Sequence, residues 1–216
     1  MKDILLINLS PRQKGTSVVL AHMCKEHLEK MGQTAIIMHL YPDLNNLDNL
    51  CRAVQIADTI VLSGPCYINT YPADTIALLE ELAKNENYLH GQNLYGMIQG
   101  GMPYAHTHES GLNMLKIFGN ECNVKYKGGF VMGLGAMLNG QSVDKLINAK
   151  IVKRQISIFF DHVNKGEESP PTVYHKAQMK FPPLLYRIMA GMMNRKIDKD
   201  LQSRGINANS ESLYLS

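Results

Sequence analysis

Leu5-Leu6-Ile7-Asn8-Leu9-Ser10-Pro11-Arg12-Gln13-Lys14-Gly15-Thr16-Ser17 is the stretch that decides how this chain folds. An apolar run at 4–7 is followed by small, polar and turn-forming residues at Ser10, Pro11, Gly15, Thr16 and Ser17, and a helical pattern opens at Val18. That order predicts strand, tight loop and helix N-terminus. The first N–H groups of a helix lack internal partners and its dipole adds partial positive charge, so such a loop suits an anion. Hydroxyls at Ser10, Thr16 and Ser17 can donate to phosphate oxygens, and Arg12 or Lys14 can add charge. A plain capped turn is the competing reading, but three hydroxyls and two cations in eight residues favour phosphate.

Outward from this stretch, the pattern repeats. Apolar spacing of three to four over 18–31, with Gly32 beyond, predicts a helix. Strands are expected at 34–40, 59–62, 94–98 and 129–134, with helices at 47–56, from Pro72 through Leu82, at 108–122 and at 143–163. The strand at 59–62 lacks polar–apolar alternation, as a strand covered on both faces should. Five such strands alternating with helices give an α/β, doubly wound, five-stranded parallel sheet, for which the expected order is 2-1-3-4-5. In that order strands one, three and four are neighbours. Their loops, 10–17, 64–71 and 99–104, then converge at the carboxyl edge, where such sheets bind ligands.

Composition narrows the classes. At 216 residues the chain suits one good-sized domain, and no stretch reaches eighteen apolar residues. Cys24, Cys51, Cys66 and Cys122 form no C-x-x-C pair and no leader peptide is visible, so a reduced cytoplasmic protein is expected. Net charge is −2 over residues 1–149 and +5 over 150–216, with no basic run interleaved with aromatics, which argues against nucleic acid. The dinucleotide pattern G-x-G-x-x-G and the G-x-x-x-x-G-K-[ST] loop are both missing after the first strand. Gly133-Leu134-Gly135 reads as a strand-to-helix turn. A hydroxyl-rich phosphate loop joined by two aromatic and glycine-bearing loops suits a mononucleotide with a flat ring, flavin mononucleotide (FMN) being the natural candidate.

With those residues quoted, Ser10–Ser17 resembles the phosphate loop of the flavodoxin-like NAD(P)H-dependent FMN reductases. The stretch 57–67, Ala-Asp-Thr-Ile-Val-Leu-Ser-Gly-Pro-Cys-Tyr, resembles their second loop. The likeness covers about residues 1–165 and departs at Leu9, where glycine is common. It implies a homodimer in which NADH or NADPH reduces bound FMN, which passes electrons to a quinone, another flavin or a similar small acceptor. Ser10, Arg12, Gly15, Thr16 and Ser17 would hold the phosphate. Pro65, Cys66, Tyr67, Ile68 and Asn69 would line the ring, and Gly100 and Gly101 would bring backbone N–H groups close. Tyr104 is expected at the cofactor site, and with His106 and His108 it could face the substrate or pack the next helix. No acid, base or metal site is expected, and Cys66 reads as a packing residue. A flavodoxin-type electron carrier and a non-catalytic flavin-binding protein are the alternatives.

Residues 166–216 are expected as an extension outside the domain at 1–165. The apolar residues Phe181, Leu184, Leu185, Ile188, Met189, Met192, Met193 and Ile197 form a helical stripe with Arg187, Arg195 and Lys196 among them. Packing on the domain or on a partner subunit is favoured over a membrane surface.

Overall fold

The computed structural model describes residues 3–179 and 183–206. Five parallel strands, β1 (Asp3–Asn8), β2 (Thr34–His39), β3 (Thr59–Pro65), β4 (Asn93–Gln99) and β5 (Lys125–Met132), form one sheet in the order β2-β1-β3-β4-β5. Between them run α1 (Thr16–Lys30), α2 (Asp48–Ile56), α3 (Ala73–Lys84) and α4 (Glu109–Glu121). They are followed by α5 (Ala149–Lys165), α6 (Thr172–Ala177) and α7 (Pro183–Ser203). The α/β fold and the strand order are those expected from the sequence.

Right-handed crossovers fix the layers. The step from β1 to β2 runs opposite to the three later steps, so α1 lies on one face and α2, α3 and α4 on the other. Helix α5 joins α1, where His27 Nε2 lies 2.8 Å from Asp161 Oδ1 and the His27 and Phe160 rings meet at 5.6 Å. Both faces being covered, every residue of β3 is buried, as are Ile4 through Asn8 of β1. On the α5 side the core centres on Tyr95, Phe130 and Phe159, none measurably exposed. Tyr95 keeps its hydroxyl satisfied by donating to the Glu167 carbonyl at 2.7 Å, tying β4 to the end of α5.

Four boundaries differ from the sequence reading. Strand β3 continues through Pro65, which pairs in register with Gln99. Gly64 permits this, because a Cβ there would stand 2.7 Å from the Tyr71 ring. Strand β5 begins at Lys125 and not at 129, since its polar first residues pair with Asn93 and Leu94 at the sheet edge before an irregularity at Leu94/Gly96. Helix α5 starts at Ala149, because residues 143–145 form a separate short turn capped by Ser142, and Leu146 is extended. Finally, the compact unit runs Met1–Met179 rather than ending at 165. Ser169 donates its N–H to the Lys127 carbonyl at 2.7 Å and Gln178 Nε2 donates to the Val131 carbonyl at 2.8 Å, so residues 166–179 close the β5 edge.

The second unit holds α7. Its Ile188, Met192, Met193 and Ile197 are exposed. Phe181 of the expected stripe, and the side chains of Leu184, Leu185 and Met189, lie outside the described residues. No helix among the described residues is long and apolar enough to cross a membrane.

Candidate functional site

A cavity of about 170 Å³ opens at the carboxyl edge of the sheet, lined by Ser10, Arg12, Gly15 and Thr16 after β1 and by Pro65, Cys66 and Tyr67 after β3. Gln99, Gly100 and Gly101 after β4 and Ala136 and Asn139 after β5 complete it. Four loops meet here, one more than the sequence promised.

The loop after β1 is held from both ends. Leu9 donates its N–H to the Ser63 carbonyl at 2.8 Å and is fully buried. Ser10 Oγ accepts from the Arg12 N–H at 3.2 Å, making a tight turn. Gly15 caps α1 in an extended conformation, which leaves the first-turn N–H groups of Thr16 and Ser17 without intrahelical acceptors; of the two residues, Thr16 lines the cavity. Arg12 is the cation on the wall, and its Nη1 reaches Asn139 Oδ1 at 3.4 Å. Lys14 lines a different groove, with Val18 and His22.

Two of the three hydroxyls expected on phosphate have other work. Thr16 Oγ1 donates to the Gly135 carbonyl at 2.9 Å and accepts from the Gly140 N–H at 3.3 Å. Ser17 is fully buried and outside the lining, and its Oγ accepts from Gln99 Nε2 at 3.4 Å. Ser10 is the remaining hydroxyl, with two helix N–H groups and Arg12 beside it.

The loop after β3 is a four-residue hairpin. Tyr67 N–H donates to the Thr70 carbonyl at 2.7 Å and Thr70 N–H returns the bond at 3.2 Å. The two central residues, Ile68 and Asn69, have φ of 49° and 69°, the left-handed region. Asparagine tolerates that region, but a β-branched side chain is strained there. Ile68 is nonetheless 98% exposed, while Ser110 Oγ holds the hairpin by donating to the Asn69 carbonyl. Ile68 and Asn69 stand outside the cavity lining, and so does Tyr104, whose ring stacks on His106 at 5.6 Å. Cys66 lines the cavity; burial pushes its thiol pKa up, which favours the neutral form and the packing role.

Behind the β4 loop sits His108. A Cβ on Gly100 would collide with the imidazole ring, so glycine there is a packing requirement. The Gly100 N–H donates to the Met132 carbonyl at 3.3 Å and is therefore committed to the sheet. Only 2% of His108 is exposed; its Nε2 lies 3.1 Å from the Met102 carbonyl and its Nδ1 has no partner. Burial lowers its pKa, leaving it neutral near neutral pH.

Gln99, Ala136 and Asn139 were not foreseen as site residues. Gln99 is the most telling, since its Oε1 is buried and lacks any partner while the residue lines the cavity. A buried acceptor left unpaired costs about 1–3 kcal/mol, so it points to an absent donor. Its position at the end of β4, directly before Gly100-Gly101, is the sequence signal that could have found it. Asn139 comes from a turn held by left-handed Leu134 and Asn139 and by Gly140, where a Cβ would collide with the Lys14 carbonyl. The Gly133-Leu134-Gly135 turn therefore clasps the first loop, beyond its expected role as a connection.

No protein-family model matches the sequence, and a search of curated proteins finds no match. Solved structures do share the fold. An apo NADH:FMN oxidoreductase superposes at TM-score 0.59 and 21% identity, over 81% of this chain and 94% of that one. A flavodoxin from Streptococcus pneumoniae superposes at 0.56 and 12% identity, over 76% and 99%. General stress protein 14 from Treponema denticola, solved with FMN, superposes at 0.52 and 14% identity, over 76% and 99%. The likeness establishes a flavodoxin-like fold.

Proposed function

We propose that this chain is an NAD(P)H-dependent FMN oxidoreductase, working as a homodimer, that passes reducing equivalents from NADH or NADPH to a small acceptor such as a quinone or free flavin. The observation that carries this reading is the buried, unpartnered Oε1 of Gln99, a residue that lines the cavity where a helix N-terminus, Ser10 and Arg12 converge. Those groups fit FMN by donor and acceptor type. Ser10, Arg12 and the Thr16 and Ser17 N–H groups would take the phosphate. Gln99 Oε1 would accept from a ribityl hydroxyl. The Tyr67–Thr70 hairpin and Gly101 would border the ring, because a Cβ on Gly101 would meet nothing within 4 Å.

Bound FMN supplies hydride acceptance and donation. The protein's part is orientation and exclusion. The hairpin, pinned by Ser110, would present Tyr67 to the ring, with the exposed Ile68 at its tip outside the cavity lining. Neutral His108 buttresses Gly100, and no side chain of the site is asked to move a proton. The names of the structural neighbours, an NADH:FMN oxidoreductase among them, support the same reading.

A flavodoxin-type carrier would use the same fold and cofactor. Carriers gain from a strongly acidic surface that steers them to partners, whereas this chain carries +3. The test is an absorbance spectrum of the purified protein, followed by anaerobic addition of each nicotinamide. Bleaching of the flavin band at about 450 nm, with steady NADH or NADPH consumption once a quinone is added, is the expected result. A colourless protein that takes up no FMN overturns the reading, and a flavin that neither nicotinamide reduces favours the carrier. Light scattering reads the dimer.

A further inference from the structure

A second, larger cavity of about 460 Å³ shares no lining residue with the first. Glu109, Asn113, Lys116 and Asn120 line it from one face of α4, at the spacing that stacks side chains along a helix. Tyr126, Gly128 and Gly129 of β5 contribute, and Glu168, Ser169, Tyr174 and His175 close it.

Its walls are polar and built. Glu109 Oε1 accepts from the Tyr174 hydroxyl at 2.9 Å and lies 3.3 Å from His175 Nε2. Ser169 is 2% exposed, its backbone fixed by the bond to Lys127, and its hydroxyl has no partner. A buried hydroxyl without a partner beside a cavity is a group waiting for one. Lys116 and Glu168 have no ion pair among the described residues and both face this space.

Charge selects the ligand class. The permanent charges are one ammonium, Lys116, and two carboxylates: Glu168, and Glu109, whose Oε1 already takes the Tyr174 hydroxyl and faces the His175 imidazole, leaving Oε2 for a ligand. A dicarboxylate or a phosphate would set its anions against two wall carboxylates. A simple diamine would leave Lys116 facing like charge. A molecule with one carboxylate and two ammonium groups matches the wall. Lys116, flanked by the Asn113 and Asn120 amides, would take the carboxylate. Glu109 and Glu168 would take the amines. Glu109 and Lys116 are seven residues apart, about 10 Å along the helix axis, a span that a short extended molecule bridges with the reach of the lysine stem.

We infer that this cavity is a second ligand site, taking a free amino acid whose side chain carries an amine. The site is independent of the flavin reading, since it uses none of the first cavity's residues.

The test is isothermal titration calorimetry on the full-length protein, with and without added FMN, using L-lysine as probe. Norleucine, which lacks the side-chain amine, and cadaverine, which lacks the carboxylate, are the dissecting ligands. Lysine is expected to bind saturably at one site per chain, with norleucine and cadaverine each weaker by about tenfold or more. Lys116→Gln should weaken lysine by a similar factor and leave cadaverine unchanged. Ser169→Ala should weaken lysine without lowering the melting temperature. Absence of saturable lysine heat, equal binding of either dissecting ligand, or full affinity in Lys116→Gln overturns the assignment. Because the readout does not use flavin, a colourless protein that still binds lysine would refute only the flavin reading.

Discussion

The Thr16 hydroxyl donates to the Gly135 carbonyl at 2.9 Å, joining the first turn of α1 to the turn after β5. With Gly140 packed on the Lys14 carbonyl, that bond makes two distant loops into one wall. Thr16→Val keeps the shape and removes the bond, leaving a buried carbonyl unpaired. The expected loss is about 1–3 kcal/mol, seen as a melting temperature several degrees lower. Faster amide exchange confined to residues 135–140 would place the damage. Unchanged exchange there would show that the wall does not depend on this hydroxyl.

Gln99 should behave in the opposite way. Its Oε1 is already unpaired in the protein and its one bond, from Nε2 to Ser17 Oγ, is long at 3.4 Å, so Gln99→Leu removes a buried polar group that stabilises little. The apo protein should melt at the same temperature or higher. FMN affinity should fall about tenfold or more, the worth of one buried hydrogen bond. Fluorescence titration with FMN and a thermal melt of the same sample separate the two effects.

Ile68 pits strain against use. A β-branched residue at φ of 49° costs about 1–2 kcal/mol relative to a residue that tolerates the left-handed region. Ile68→Asn should therefore raise the melting temperature by a few degrees. If the exposed isoleucine borders the flavin ring, the same variant should bind FMN more weakly and turn over more slowly. A gain in stability with no loss of flavin would mean that the strain serves something else.

His108 gives the protein an acid sensitivity whose sign is fixed. Burial lowers its pKa below the ordinary 6.5, outweighing the Nε2 contact with the Met102 carbonyl that raises it. The unfolded chain therefore takes the proton first as the solution is acidified. The stability tied to His108 is complete above the unfolded value and is lost as pH falls below it toward the folded value. The melting temperature of the wild type should drop as pH falls below about 6.5. His108→Gln should flatten that drop, whatever its stability at neutral pH.

Much of this architecture was legible in the residues. The run from Leu5 to Ser17 announced strand, loop and helix, and the unalternating strand at 59–62 announced burial on both faces. Both signals are local, written in side chains a few positions apart. Residues that act through distant partners were harder to read. Thr16 and Ser17 looked like phosphate donors because their types fit, yet their hydroxyls are spent on Gly135, Gly140 and Gln99. Helix α6 and the closure of the β5 edge by residues 166–179 escaped notice, since Ser169 and Gln178 bond to β5 backbone rather than forming a pattern of their own.

By itself the sequence determined the α/β class, the strand order and the place where loops converge, because hydrophobic period and turn chemistry are properties of neighbouring residues. Only the tertiary structure decided which hydroxyls remain free, that Gln99 and Asn139 complete the first cavity, and that a second polar cavity lies along α4. A hydrogen-bonding group has a fixed number of partners, and whether they are spent within the protein or left for a ligand is known only once distant segments have met.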